Sequence, residues 1–194
     1  MMDLYGRAGV SVDKEVQIKM LYMLKRLSLQ RDDVRAAIVQ HRVPSSIFQM
    51  LLVHPGDMWN IASAVIARMV TKEDICGAFL DLGTPGKLVQ ILDNDHLRSR
   101  LDSTVDDYPH ANVMAALHAF SRYDTAREYM LSVSFLWAVK QILDASHWKL
   151  NKIALEIFDL VIQHDDDLSS LRQLNIIPRL EALYRYPLRN CYNA

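Results

Sequence analysis

The sequence repeats a pattern of helix-forming segments about every 41 residues, and this repeat limits the available folds more than any other feature. One short apolar segment leads, across a brief break, into a second. Pro44 and Pro85 mark the same place in two copies, 41 positions apart. Within the segments, apolar residues recur at intervals of three and four, the spacing of one helix face. Strand-like alternation is nearly absent, so the chain is predicted to be all-α.

Four copies of the junction between the short segments are predicted. Prolines mark it in three of them, as Pro44, Pro85 and Pro178. A proline suits the first turn of a helix, because its φ is fixed near the helical value and its missing N–H is not needed there. In the third copy Leu136 takes the place of the proline. In the first copy Arg42 stands where the second has Gly83, a residue suited to a tight corner.

A longer helix is predicted between successive copies. It covers residues 15–29, 58–70, 112–123 and 150–162. We align these helices on the apolar positions Leu24, Ile66, Phe120 and Phe158. A unit of three helices cannot bury its apolar face alone, so neighbouring units are expected to stack and share one core.

This three-helix repeat resembles the armadillo-repeat family from about residue 14 to residue 186, with HEAT repeats as a near neighbour. The segment 174–180 is similar to the family's junction of a small residue, two apolar residues and a proline. The resemblance implies an all-α fold, a right-handed α-α superhelix of about three to four armadillo-like repeats. We expect one such domain over residues 1–194, with incomplete repeats at both ends. A long charged insertion at about residues 95–109 is predicted to be a solvent loop, either disordered or functional.

Composition excludes several classes of function. With 51% hydrophobic and 23% charged residues the chain is globular rather than disordered. A formal net charge of −1 argues against generic duplex DNA or an anionic membrane as a partner. No apolar run is long enough to span a bilayer. Cys76 and Cys191 are far apart and give no disulfide framework, which favours a cytoplasmic or nuclear location.

No catalytic motif is found, and no cofactor or metal site is predicted. Glycine-rich phosphate loops, a Gly-x-Ser-x-Gly elbow and a His-Glu-x-x-His motif are all absent from the sequence. Cys76 lies in an apolar helical pattern, so we interpret it as a core residue. Trp59, Trp137 and Trp148, at or near helix starts, are predicted to seal packing between repeats, with a partner-binding hot spot as the alternative. The chain is therefore expected not to be an enzyme.

The family resemblance implies that the longer helix of each repeat lines a concave groove. Family members that bind extended peptides often carry a Trp and, four residues later, an Asn on each such helix. The Trp place is held here by Tyr22, Ala64, His118 and Glu156, and the Asn place by Arg26, Arg68, Arg122 and Leu160. The neutral asparagine row is therefore replaced by arginines at three of four places.

Such a row of guanidinium groups, about 10 Å apart, favours an acidic extended peptide, a phosphopeptide or a single nucleic-acid strand. Tyr22, His118 and Tyr123 would add stacking or hydrogen bonds. The other interpretation is that the arginines are solvated, or paired with acids of the same groove such as Asp159 or Glu156.

Three functions compete as explanations of a helical-repeat chain with this sequence. The first is a scaffold or adaptor that binds an extended or acidic segment of another protein in the groove. The second is a dimerisation or assembly domain, as a homodimer or as a fragment of a larger or multi-subunit protein. The third is a helical-repeat nucleic-acid binder, against which the net charge weighs.

Overall fold

A computed structural model describes residues 14–27, 33–34, 37, 40–53, 57–93, 109–144, 148–163 and 168–185. Within these ranges every regular element is an α-helix. In chain order the helices are α1 (Lys14–Leu27), α2 (Val43–Val53), α3 (Asp57–Met69), α4 (Glu73–Leu80), α5 (Thr84–Leu92), α6 (Pro109–Phe120), α7 (Asp124–Met130), α8 (Val133–Asp144), α9 (Trp148–Val161), α10 (Leu168–Gln173) and α11 (Ile177–Arg185). The predicted insertion and both terminal segments lie outside the described residues, except that Pro109 opens α6.

The helices stack in the order of the repeats. The four longer helices α1, α3, α6 and α9 pack side by side in that order, and we call them the ladder helices. Behind the ladder, α2 contacts α5, α5 contacts α8, and each of the three also packs on the ladder helix that follows it. The short helices α4 and α7 contact each other in the same way. The described chain is therefore an all-α superhelical repeat, as predicted.

One hydrophobic cluster runs through this stack from Leu21 to Ile176. At its centre Phe79 of α4 and Phe120 of α6 meet edge to face, with ring centroids 6.4 Å apart. Both rings are fully buried, as is Cys76, which confirms the interpretation of that cysteine as a core residue. Because each helix has only one wide apolar face, burial depends on neighbouring repeats.

The left-handed backbone conformation marks three of the four junctions. Arg42 (φ 57°) and Gly83 (φ 71°) adopt it directly before helices whose second residue is a proline, so Arg42 occupies the same structural place as Gly83. Asn175 (φ 53°) does the same before α11, with one residue more before Pro178. Glycine adopts this conformation at little cost in free energy, whereas the conformation destabilises the folded chain by about 1 kcal/mol at each of Arg42 and Asn175.

The third junction differs from the prediction. Leu136 does not stand at the junction: it lies in the first turns of α8, fully buried, and the second residue of that helix is Ser134. The hydroxyl of Ser132 accepts a hydrogen bond from the backbone N–H of Phe135 at 3.4 Å. A serine N-cap thus replaces the proline and the left-handed residue.

The tryptophans have different roles. Trp59 packs against the core and its Nε1–H donates to the carbonyl oxygen of Leu51 at 2.9 Å, which joins α3 to the end of α2 within one repeat. The predicted role of Trp59 between repeats stays a prediction. For Trp137 the prediction of a sealing role is wrong. Its side chain is 45% exposed, and the Lys140 ammonium lies 5.6 Å from the ring centroid. Trp148 is the first residue of α9.

Candidate functional site

The candidate site is the ladder face, meaning the exposed side of α1, α3, α6 and α9. Tyr22 and Arg26 are exposed on α1, with Arg26 in its last turn. Arg68 is half-buried in the last turn of α3. His118 is half-buried near the end of α6, and exposed Arg122 follows that helix. These predicted residues therefore lie on, or directly after, three ladder helices that are neighbours in space.

The helix ends show a different alignment of α6 from the one predicted. Met69 ends α3 four residues before α4 begins, and Phe120 ends α6 four residues before α7 begins. These two residues are therefore equivalent, and Arg68 is matched by Ala119 rather than by Arg122. Arg122 lies two residues past the helix end, about one turn beyond the place of Arg68.

Charges at the α6–α9 end of the ladder are brought together. Nε2 of His118 lies 3.8 Å from Oε2 of Glu156, and Nζ of Lys152 lies 3.8 Å from Oε1 of the same carboxylate. Burial lowers the pKa of His118 and the nearby Arg122 lowers it further, while Glu156 opposes both effects. The pKa of His118 therefore lies below the ordinary histidine value of 6.5, and His118 loses its proton at a lower pH than a free histidine does.

Tyr123 is the N-cap residue of α7 and lies beside the first turns of α4. Burial raises the pKa of its phenol, and Cys76 adds to the rise, as do the carboxylates of Asp74 and Glu73. Arg122 has the opposite effect. The structure therefore places Tyr123 with Arg122 and the acidic start of α4, rather than with Tyr22 at the other end of the ladder.

Within the described part of the chain, Arg26, Arg68 and Arg122 form no ion pair. Glu156, which the sequence suggested as a partner for them, contacts His118 and Lys152 instead. Each arginine lies near the C-terminal end of a ladder helix, where the helix dipole favours positive charge. The helix dipole is therefore a physical reason for positive charge at these places that does not require an acidic partner.

Polar side chains deeper in the ladder were missed by the sequence reasoning. The side-chain amide of Asn112 donates to Oδ1 of Asn60, joining α6 to α3. Asn151 of α9 and Ser63 of α3 are buried, and their side-chain polar atoms have no hydrogen-bond partner within the described residues. The sequence signal for these residues is a polar side chain within an apolar helical pattern. Which side chain of a neighbouring helix it contacts cannot be predicted from the pattern of one helix.

No group of three or more His, Cys, Asp or Glu side chains among the described residues is placed to hold a metal ion. None of the helices in the described ranges is both long and apolar enough to cross a membrane.

No protein-family model matches the sequence, and no curated protein matches it. Solved structures do match. An engineered protein from the Northeast Structural Genomics Consortium is 15% identical, with 92% of this chain and 71% of that chain covered and a TM-score of 0.75. The designed armadillo repeat protein YIII(Dq)4CqI is 14% identical, with coverages of 93% and 71% and a TM-score of 0.74.

Another designed armadillo repeat protein, YIII(Dq.V1)4CPAF in complex with the peptide (KR)4, is 13% identical, with coverages of 95% and 90% and a TM-score of 0.52. At these identities the likeness concerns the backbone alone. The junctions, the ladder and the structural neighbours agree, and the chain has the armadillo-like helical repeat fold.

Proposed function

We propose that this chain is a protein-interaction scaffold that binds an extended, acidic segment of a partner across α1, α3 and α6. The fold supports peptide binding in general, since a designed neighbour with the same fold was solved with the peptide (KR)4. A stack of parallel helices presents a regular, open face, which suits a chain lying across the helices.

The observation that carries the proposal is that Arg26 on α1 and Arg68 on α3, with Arg122 just past the end of α6, form no ion pair within the described residues. Each guanidinium offers a planar fork of donors that matches a carboxylate or phosphate. Arg26 and Arg68 hold equivalent places on adjacent helices, so they are about 10 Å apart. A chain in the extended polyproline II conformation has three residues per turn and advances about 3.1 Å per residue, so acidic side chains three residues apart lie on one side and would meet both.

The other end of the ladder has a different charge. Glu156 and Asp159 are exposed on α9, and Glu156 already holds Lys152 and His118. An acidic segment is therefore favoured at the α1–α6 end and disfavoured at α9. This asymmetry gives the bound segment a direction, with its acidic part over Arg26 and Arg68.

Fluorescence anisotropy tests the proposal with a labelled peptide that carries Glu at every third position, and with (KR)4 as the opposite-charge probe. The double variant Arg26→Glu/Arg68→Glu is expected to bind the acidic peptide at least about tenfold more weakly, because two attractions become repulsions. Arg172→Glu, an exposed charge reversal on α10, is the matched control and should change affinity little. Equal binding by the double variant and the control, or a wild-type preference for (KR)4, would contradict the proposal.

The same assay separates the chemical classes of partner. Replacing the Glu residues of the probe by phosphoserine tests for a phosphorylated segment, since phosphate offers more charge and three acceptor oxygens. An oligothymidylate probe tests the nucleic-acid interpretation. Tight, salt-sensitive binding of that strand together with no binding of the acidic peptide would favour a nucleic-acid function instead.

A further inference from the structure

The row that begins with Arg26 and Arg68 continues onto α6 at a residue other than Arg122. Arg26 and Arg68 each precede the last residue of their ladder helix, and the residue in that place on α6 is Ala119. The side chain of Ala119 is buried. His118, directly before it in the last turn of α6, keeps a part-exposed imidazole on the ladder face. A segment that crosses Arg26 and Arg68 and runs on over α6 therefore meets His118 next.

The charges around His118 are of both signs. Oε2 of Glu156 on α9 lies 3.8 Å from Nε2 of the imidazole, too far for a direct hydrogen bond, and Lys152 is paired with the other oxygen of that carboxylate. Arg122 follows one turn later along the chain, and on α3 the charged residue at this end of the ladder is Arg68. Helix α5 packs on α6 from behind the ladder and supplies none of the charges that act on the imidazole.

We propose that Arg26, Arg68 and His118 form one acid-binding row, and that binding of an acidic segment across this row takes up a proton on His118. The inference rests on the proposed function, since it requires an acidic segment over α1, α3 and α6. An arginine keeps its charge throughout the physiological pH range, whereas an imidazole that gains a proton gains both a charge and a second N–H donor. The first two contacts are therefore independent of pH, and the third depends on it.

The direction of the pH effect follows from the state of His118 in the free chain. Burial and Arg122 keep its pKa below 6.5, so the free imidazole is mostly neutral at pH 7.5. A carboxylate of the bound segment favours the protonated form and raises the pKa in the complex. By linkage, a pKa that rises by one in the complex strengthens binding about tenfold once the pH is below both pKa values. Affinity for an acidic segment is therefore expected to increase as the pH falls from 7.5 to 5.5, where glutamates of the segment stay ionised.

Fluorescence anisotropy at pH 7.5 and pH 5.5 tests the coupling with a labelled peptide that carries three Glu residues, one at every third position. The wild type is expected to bind this peptide at least about threefold more tightly at pH 5.5. His118→Gln keeps a polar side chain without a titrating group, so it should bind with the same affinity at both pH values. His41→Gln is the matched control, since His41 is exposed outside the ladder helices, and it should keep the pH dependence of the wild type.

A shorter peptide and an NMR titration identify the third contact. A peptide with only two Glu residues fits over Arg26 and Arg68, so its affinity should not depend on pH. NMR of the imidazole signal that is absent from His118→Gln should show a higher pKa with the three-Glu peptide than without it. The same pH dependence in the wild type and in His118→Gln, or a pKa that the peptide leaves unchanged, overturns this inference while the site at the two arginines stands. Failure of both acidic peptides to bind at either pH contradicts the proposed function itself, and this inference with it.

Discussion

Replacing glycine by alanine should have opposite effects on stability at Gly83 and at Gly77. A Cβ at either position would meet nothing within 4 Å, so steric contact does not distinguish them. Gly83 has φ of 71° at the corner before α5, whereas Gly77 is in the middle of α4. We expect Gly83→Ala to lower the free energy of unfolding by about 1 kcal/mol, and Gly77→Ala to raise it by about 0.5–1 kcal/mol. Urea denaturation measures both, and a stabilising Gly83→Ala would contradict the left-handed junction.

The thiol of Cys76 is expected to make stability fall at alkaline pH. Burial raises its pKa from 9.0 to about 11, a hydrogen bond from Thr125 partly offsets this, and Glu73 adds to the rise. The unfolded chain therefore loses this proton at lower pH than the folded chain, so this contribution to stability is complete below pH 9 and is lost as the pH rises towards 11. Between pH 8 and 10 the loss should be about 1 kcal/mol.

The variant Cys76→Ala isolates the effect, since other groups also titrate in this range. At pH 8 its free energy of unfolding is expected to be lower than that of the wild type. At pH 10 this gap in the free energy of unfolding should be smaller by about 1 kcal/mol. Guanidinium chloride denaturation at the two pH values measures the gap. A gap that is constant with pH would show that the thiol is not desolvated in the folded chain.

At the scale of the helix, two arginines donate hydrogen bonds to backbone carbonyl oxygens at the C-terminal ends of other helices. Nε of Arg127 in α7 donates to the carbonyl oxygen of Val161 at the end of α9, at 3.0 Å. Arg179 of α11 donates from Nε and Nη2 to the carbonyl oxygen of Leu143 near the end of α8, at 3.1 and 2.6 Å. The last carbonyls of a helix have no partner within it, so each contact supplies one.

We expect Arg127→Met to reduce the free energy of unfolding by about 1–2 kcal/mol, since it removes a charged donor from a part-buried carbonyl while keeping most of the apolar stem. Arg172→Met on the exposed surface of α10 is the control and should change stability by less than about 0.5 kcal/mol. Thermal and urea unfolding of the two variants gives the comparison. Equal losses would show that the contact with Val161 contributes nothing.

The same scale explains what the sequence predicts and what it does not. Helices and most junctions follow from apolar spacing and prolines, because each is a local property. The alignment of α6 with the other ladder helices does not follow from apolar spacing, since an amphipathic pattern shifted by one turn matches itself. In addition, residues 94–108 interrupt the repeat spacing before α6. Leu136 differs from its predicted place at a junction because an apolar residue in the pattern is compatible with a core position as well as with a corner. Contacts such as Arg127 with Val161 join residues 34 positions apart and leave no local signal.

For the whole molecule, the arrangement of the ladder predicts where the stack can be divided. Helix α6 packs on α3 on one side and on α9 on the other, and Phe120 connects it to Phe79 in the shared core. In a repeat protein, stability is roughly a sum of repeat terms and interface terms between neighbours. Weakening the central interface should therefore reduce the cooperation between the two halves as well as the total stability.

We expect Phe120→Ala to cost about 3–5 kcal/mol and to separate the unfolding of the α1–α5 half from that of the α8–α11 half. Trp59 on α3 and Trp137 on α8 report on the two halves when each is the single tryptophan of its variant. In the parent chain their denaturant midpoints should coincide, whereas with Phe120→Ala they should differ. Leu21→Ala is the control, because it removes an equally buried side chain from α1 at the edge of the stack and leaves the centre intact. Coincident midpoints in the Phe120→Ala chain would mean that contacts of α5 with α8 and of α4 with α7 are enough to keep the stack a single unit.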